Sequence, residues 1–181
     1  TMLYMVGHSL IKLVLFLDAG IIHMNTHKLD LNEIRGFGRG KIIFLFSFLC
    51  GALGLMGMPL LNGYIGKTLI HESIVEYIAV AKRPLFFQFA EWVFLISGAF
   101  TTSYVLKLFF MLFVAKPSAE IAAHKKYINF INKILLLFSS LILLAIGCSP
   151  YKIADQIGFM ASSFFNNSLT HHHAVNYFNF E

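Results

Sequence analysis

Long apolar runs separated by short polar clusters set the pattern of this sequence. Four runs can be drawn, at about residues 2–24, 42–81, 90–114 and 130–146, the last closed by Ser149-Pro150. A helix needs roughly 20 residues to cross about 30 Å of hydrocarbon, so the first and third fit one crossing each, and the fourth is short but sufficient. The second is about twice that length and is interrupted at Met58-Pro59-Leu60-Leu61-Asn62-Gly63. Pro59 lacks a backbone donor and Gly63 tolerates unusual dihedrals, so a break is expected there. Two readings follow. Either the run crosses once and emerges as an interfacial helix, or it is a broken helix within the membrane, whose irregular backbone must be covered by protein or water. The fold class expected is an all-α polytopic membrane bundle of about four transmembrane helices, the second discontinuous, over residues 1–150. The remainder, 151–181, reads as an amphipathic or flexible tail, with Ile153, Ile157, Met160 and Phe164 at helical spacing.

Composition agrees. Of 181 residues, 57% are apolar and only 13% charged, where a soluble domain usually carries about a quarter charged residues. The net charge of +5 is therefore no nucleic-acid signature. Lys28, Arg35, Arg39 and Lys41 follow the first run and Lys116, Lys125, Lys126 and Lys133 follow the third, whereas the opposite side offers Lys82, Arg83 and Lys152. This asymmetry puts the loops at 25–41 and 115–130 in the cytoplasm, with Tyr77, Trp92 and Tyr151 at the other interface. The expected location is a multi-pass position in a cell inner membrane or its equivalent. The first run carries His8, Lys12 and Asp18 and has no small-residue cleavage site, so it does not read as a signal peptide. A membrane segment starting directly after Thr1 suggests a piece of a longer polypeptide. Cys50 and Cys148 lie inside apolar runs and form no C-x-x-C pair, which fits small buried residues better than a metal or redox site. His171-His172-His173 reads as a silent tail or a partial tag.

Charge at bilayer depth is costly unless it is paired, hydrated or neutralised, so ionisable residues within the runs are the functional candidates. At 100° per residue, with His8 at zero, Lys12 falls at about 40°, His23 at about 60° and Asp18 at about −80°. His8, Lys12 and His23 thus share one face, and groups that titrate along a hydrated path can relay protons. The competing reading has His8 and Lys12 snorkelling near one end and His23 at the interface. Asp18 is too short to snorkel and is expected to pair with a base or a hydroxyl. In the second run Lys67 and His71 lie one turn apart, followed by Glu72 and Glu76. They form a solvated extension if the segment ends near Gly63, and a buried site if the helix re-enters. Lys107, about 13 Å from Lys116 along a helix, is expected to snorkel. No nucleophile elbow, phosphate-binding glycine loop or zinc pair is present, so the chain has no legible active site, metal or cofactor of its own.

Gly7-His8-Ser9-Leu10-Ile11-Lys12-Leu13-Val14-Leu15-Phe16-Leu17 resembles the His-x-x-x-Lys-x-x-Leu-Phe segment of the antiporter-like subunits of NADH:quinone oxidoreductase. Gly20-Ile21-Ile22-His23 and residues 31–36 continue the likeness. Gly57-Met58-Pro59-Leu60-Leu61-Asn62-Gly63-Tyr64-Ile65-Gly66-Lys67 resembles the family's Gly-x-Pro-x-x-x-Gly-Phe-x-x-Lys element. Ser103-Tyr104-Val105-Leu106-Lys107-Leu108-Phe109-Phe110 is similar to a later helix that more often carries Arg where Lys107 stands. The three elements occur in the family's order and cover residues 1–117. The family includes complex I pumping subunits, their homologues in membrane-bound hydrogenases, and the large subunits of multisubunit sodium/proton antiporters.

The resemblance implies that Lys12 is a central-axis lysine with His8 its neighbour, and that Lys67 is the terminal site of the half-channel in the broken helix, a lysine or a glutamate across the family. Asp18, His23, His71 and Lys107 remain as relay or counter-ion candidates, with Asp18 at a position usually small or neutral in the family. The implied function is proton translocation in a redox-driven, complex I-like or hydrogenase assembly, with other membrane subunits and the lipid bilayer as partners and no nucleic acid. The chain matches only the last part of the family's second repeat, so by itself it is not expected to pump. Two rivals stand beside this: a sodium/proton antiporter subunit, and a structural subunit whose ionisable residues only join helices.

Overall fold

The computed structural model describes residues 2–59, 61–80, 84–118, 121 and 129–148. Among these, all regular structure is helical: α1 (Met2–Thr26), α2 (Ile42–Met56), α3 (Asn62–Val80), α4 (Pro84–Phe109) with a π-helical turn at its end (Phe110–Val114), and α5 (Phe130–Cys148). Tyr4–Thr26, Leu85–Val114 and Phe130–Cys148 are each long and apolar enough to cross a membrane. The chain is a polytopic helical membrane protein. Where a fourth crossing was expected, the structure has two helices, the 15-residue α2 and the 19-residue α3. At 1.5 Å per residue α2 is about 22 Å long, short of the hydrocarbon thickness.

The bounds shift for identifiable reasons. Helix α4 begins at Pro84 rather than at residue 90, because a proline in the first turn has no N–H to leave unpaired and its fixed φ suits the helix. The left-handed residue of the break is Gly57, at φ 86°, not Gly63, which lies inside α3. Pro59 sits in the turn between the two helices. The tail at 151–181, with His171-His172-His173, falls outside the described residues, as do Lys82, Arg83, Lys125 and Lys126.

Helix α2 is central: α1, α3, α4 and α5 all pack against it. The core joins Ile11, Val14 and Ile21 of α1 to Phe44, Phe48 and Leu55 of α2, Val105 of α4 and Leu136 and Leu143 of α5. Small residues set how close the helices come, as is usual where lipid gives no hydrophobic drive to association. Gly51 of α2 faces Leu15, and Gly54 faces Ile11 and Leu143. Gly63 of α3 rests against the Gly54 carbonyl, closely enough that any Cβ would collide with it. Large side chains point outward from the bundle as well: Phe86, Phe89, Trp92 and Phe100 of α4 are all exposed. Apolar groups on both sides are what a surface in contact with lipid or other apolar protein requires.

At the end of the bundle where α1 finishes, the 27–41 loop is fastened to the π turn. The π geometry, marked by Ala115 N–H donating to Phe110 O at 2.8 Å, leaves carbonyls free of α-helical partners. Gly36 N–H donates to Met111 O at 2.8 Å and Gly38 N–H to Leu112 O at 3.0 Å. Ser118 Oγ donates to Glu33 O at 2.6 Å. Gly36 has φ 75° and lies against Pro117, so a side chain there is excluded twice over. An aromatic cluster of Phe37, Phe44, Phe48, Phe109 and Phe113 fills the junction, with centroid separations of 5.4–5.7 Å. The 27–41 loop and residues 111–118 therefore meet on one side of the bundle.

Lys41, just before α2, sits over the Phe37 ring at 3.2 Å and donates to Phe37 O at 2.7 Å. Burial nonetheless pushes its amine down to about 8. Between that value and the ordinary lysine range the unfolded chain binds more protons than the folded one, so the folded state gains stability as pH rises through that window and carries the full burial cost below it. In detergent-solubilised protein, the thermal midpoint of wild type relative to Lys41→Met is expected to rise between about pH 8 and pH 10. A difference independent of pH would show that the amine is not desolvated.

Candidate functional site

A helix that stops leaves its last four carbonyls without intrahelical partners, a severe cost where water is scarce. In α2 these are the carbonyls of Leu53 to Met56. Gly57 N–H donates to Gly54 O at 3.1 Å and Met58 N–H to Leu53 O at 3.0 Å, the paired bonds of a Schellman turn. The other two are taken by one side chain. Lys67 Nζ donates to Leu55 O at 2.8 Å and to Met56 O at 3.1 Å. Gly57 is needed for its conformation and also for space, since a Cβ there would meet Lys67 Cδ at 2.9 Å.

The chain steps sideways between α2 and α3, which places Gly63 beside Gly54. Those nine residues would carry a continuous helix about 13 Å further. The step cancels that rise, so Lys67 returns to the level of α2's last turn rather than lying far beyond it. Its amine, the positive end of a side chain, meets the partial negative charge of a helix C-terminus.

Lys67 shares a narrow cleft with Tyr4, His8, Ile11, Gly54, Leu55, Asn62 and Gly63, with room for about one water molecule. The His8 ring stacks on Tyr4, with centroids 5.4 Å apart and planes inclined by 23°. Gly7 and Gly66 let α1 and α3 close on this point: a Cβ on Gly7 would run into Asn62, and one on Gly66 into Tyr4. His8 and Lys67, 59 positions apart in sequence, thus line one site.

The other candidates separate. Lys12, one turn from His8, is exposed on the outer face of α1, as is His23, whose ring stands edge-on to His27 at 6.1 Å. His8, Lys12 and His23 share a helical stripe, but only His8 reaches the cleft. Lys107 is exposed on α4. His71 turns from Lys67 toward α4, with Nε2 3.3 Å from Glu91 Oε1, outside hydrogen-bond geometry, and its ring stacked on Phe94 at 6.0 Å. Asp18 is 2% exposed and has no ion-pair or hydrogen-bond partner that meets full bonding geometry among the described residues. It faces Ser47 of α2, and neither side chain completes a bond.

Reading the sequence missed four contributors. Tyr4 and Asn62 gave no signal beyond being polar residues near helix starts. Glu91 stood at the edge of an apolar run. Gly57 was legible, because glycine followed shortly by proline is the signature of a helix end. Among the described residues no cluster of His, Cys, Asp and Glu is arranged to hold a metal ion.

Residues 1–81, which contain α1, α2 and α3, match the family described as "NADH:quinone oxidoreductase/Mrp antiporter, TM". The chain is 33% identical over 121 residues to NADH-ubiquinone oxidoreductase chain 5 of Wickerhamomyces canadensis, covering 65% of this chain and 18% of that protein. It is 32% identical over 167 residues to the protein of the same name from Phytophthora infestans, covering 90% of this chain and 24% of the relative. Formate hydrogenlyase subunit 3 of Escherichia coli (strain K12) is 27% identical over 151 residues, covering 80% of this chain and 23% of the relative. The chain spans a quarter or less of the length of these curated relatives. No solved structure gives a significant match.

If Gly63 is required for contact rather than conformation, Gly63→Ala should destabilise the bundle by roughly 1–3 kcal/mol, the usual cost of overpacking. Gly98→Ala, in α4 with nothing within 4 Å, should be neutral or stabilising by up to about 1 kcal/mol. Unfolding in detergent checks both, and equal effects would remove the packing argument.

Proposed function

Because the chain belongs to the antiporter-like membrane subunits of NADH:quinone oxidoreductases and related hydrogenases and antiporters, we propose that it forms part of a proton path in a redox-driven membrane complex. The observation that carries this reading is the Lys67 cleft. An amine held at the buried end of a broken helix, with an imidazole lining the same water-sized space, is a pair of groups able to take up and release protons. Lys12 continues the path one turn along α1, on the face left open by the rest of this chain. His71 and Glu91 extend it on the other side of Lys67, toward α4.

In this reading a proton passes between Lys67 and His8 through water admitted to the cleft. When Lys67 gives up its proton, the neutral amine still has donors for the Leu55 and Met56 carbonyls, so the helix end stays closed through the cycle. The partners are other membrane subunits, as the relatives' names imply for those proteins, and the redox chemistry lies outside this chain. The basic loops at 25–41 and 115–130 face the cytoplasm or its equivalent, supported by their charge and by the bonds that tie residues 33–38 to residues 111–118 on one side of the bundle. Protons are preferred to sodium because the cleft offers a cationic amine and an imidazole, with no carboxylate among its lining residues.

The structure also gives the structural rival a specific footing: Lys67 caps α2 whether or not it titrates. Lys67→Gln separates the two, because a side-chain amide can still donate to carbonyls but carries no exchangeable charge at neutral pH. In the intact assembly, Lys67→Gln is expected to preserve subunit incorporation while cutting proton translocation, on the order of a hundredfold, the lower end of what a positioned proton-transfer group contributes. Lys67→Glu, expected from the family resemblance to keep part of the activity, should also loosen the helix end, since an ionised carboxylate cannot donate to Leu55 O and Met56 O. Proton uptake into sealed vesicles, set against assembly on native gels, reads both. Full translocation with Lys67→Gln would assign Lys67 to structure alone.

A further inference from the structure

Asp18 and Ser47 are the least explained residues in the bundle. Both are buried, at 2% and 0% exposure, on facing helices. Neither carboxyl oxygen of Asp18 and not the Ser47 hydroxyl has a hydrogen-bond partner among the described residues. Most hydroxyl side chains elsewhere in these helices bond to a carbonyl of their own helix. Ser140, equally buried in α5, donates to Leu136 O at 2.7 Å, and Thr101 and Ser103 of α4 donate one turn back at 2.8 and 2.9 Å. Ser47 forgoes that bond. A buried hydroxyl left unbonded within its own helix while facing an unbonded carboxyl marks a two-residue polar site, separate from the Lys67 cleft, whose lining includes neither residue.

The surroundings decide what the site can hold. From α2 the groups facing Asp18 are Ser47 and, one turn on, the buried thiol of Cys50. Ser140 of α5 is already bonded within its own helix, and Val105 and Leu112 bring only apolar surface to the core. No basic group of the described residues pairs with Asp18. An ionised carboxylate has about four acceptor positions, and among the described residues one hydroxyl and one weak thiol donor face them. That shortfall would cost several kcal/mol at this depth, whereas a neutral carboxylic acid needs a single partner and Ser47 supplies it.

We infer that Asp18 and Ser47 form a second proton-binding site, in which Asp18 is held as a neutral carboxylic acid between α1 and α2. Its ligand is a proton rather than a metal cation, because the pocket presents one carboxyl and one hydroxyl, far fewer oxygens than an alkali or alkaline-earth ion gathers. The neutral acid in an apolar setting is also the form that a lipid-soluble carbodiimide attacks: the O–H adds across a C=N bond of the reagent to give an O-acylisourea, which rearranges to a stable N-acylurea. Asp18 is thereby assigned as a modification site as well. The inference does not depend on Lys67 carrying protons.

The test uses native membranes containing the assembled complex, treated with dicyclohexylcarbodiimide near neutral pH and mapped by peptide mass spectrometry. The expected result is an adduct on Asp18 that a water-soluble carbodiimide does not produce, that slows as pH is raised, and that sodium does not prevent. In the near-isosteric Asp18→Asn the adduct disappears while the complex still assembles. The wild-type labelling stands alone if that variant fails to assemble. An unmodified Asp18 in membranes whose other buried carboxyls react would overturn the inference, as would labelling confined to acid pH. Protection by sodium would overturn it in favour of a cation site.

Discussion

A helix that ends within a packed bundle must find partners for its last carbonyls, and here that requirement fixes the geometry around it. Helix α2 ends after about 22 Å, and its four terminal carbonyls are all taken, two by the Gly57–Met58 turn and two by Lys67. Each partner imposes a further condition. Gly57 must lack a side chain to adopt φ 86° and to let Lys67 pass. Lys67 reaches the carbonyls only if α3 starts beside α2, which needs Gly63 against Gly54. That placement in turn brings α3 onto α1, where Gly7 and Gly66 permit contact and His8 becomes a neighbour of Lys67. The candidate proton site is thus a consequence of closing a helix end, and the amine proposed to carry protons is the one that caps α2.

The break was legible because its cause is local. Proline without an N–H and clustered glycines speak for themselves in any context, and a run twice the length of a crossing has to be accommodated somehow. The three long crossings were legible for the same kind of reason, since length and apolarity are properties of a segment alone. Which glycine takes which role was not. Gly63 was credited with unusual dihedrals when its constraint is the carbonyl of Gly54 on another helix. Conformation can be read from neighbours in sequence, but close approach depends on a partner that sequence order does not name.

The same distinction explains the candidate site. His8, Lys12 and His23 fall on one helical stripe, as periodicity says they must, yet α3 packs on one end of that stripe and covers His8 alone. Periodicity gives direction around a helix axis and says nothing about how far along the axis a neighbour extends. His71 and Glu91 approach each other across α3 and α4, a pairing that no spacing within either helix implies. The π turn at Phe110–Val114 is of the same kind: its freed carbonyls are matched to Gly36 and Gly38, some 75 residues earlier.

Lys12 shows how far the bilayer constrains what must surround this chain. It lies on α1 about 21 Å from Thr26 at the helix end, too far for a lysine stem to carry its ammonium to the nearer interface on that side. Toward the other end the path is shorter, but Tyr4 and His8 turn inward there and line the cleft. A charged group on that exposed face cannot rest against lipid at such depth without a large cost. In the proposed reading that face meets protein or water. The curated relatives are at least four times the length of the matched region, so there is ample chain in such proteins to supply that cover. In the proposed reading, an exposed lysine beside a half-buried histidine marks the side of α1 on which the path through this bundle continues.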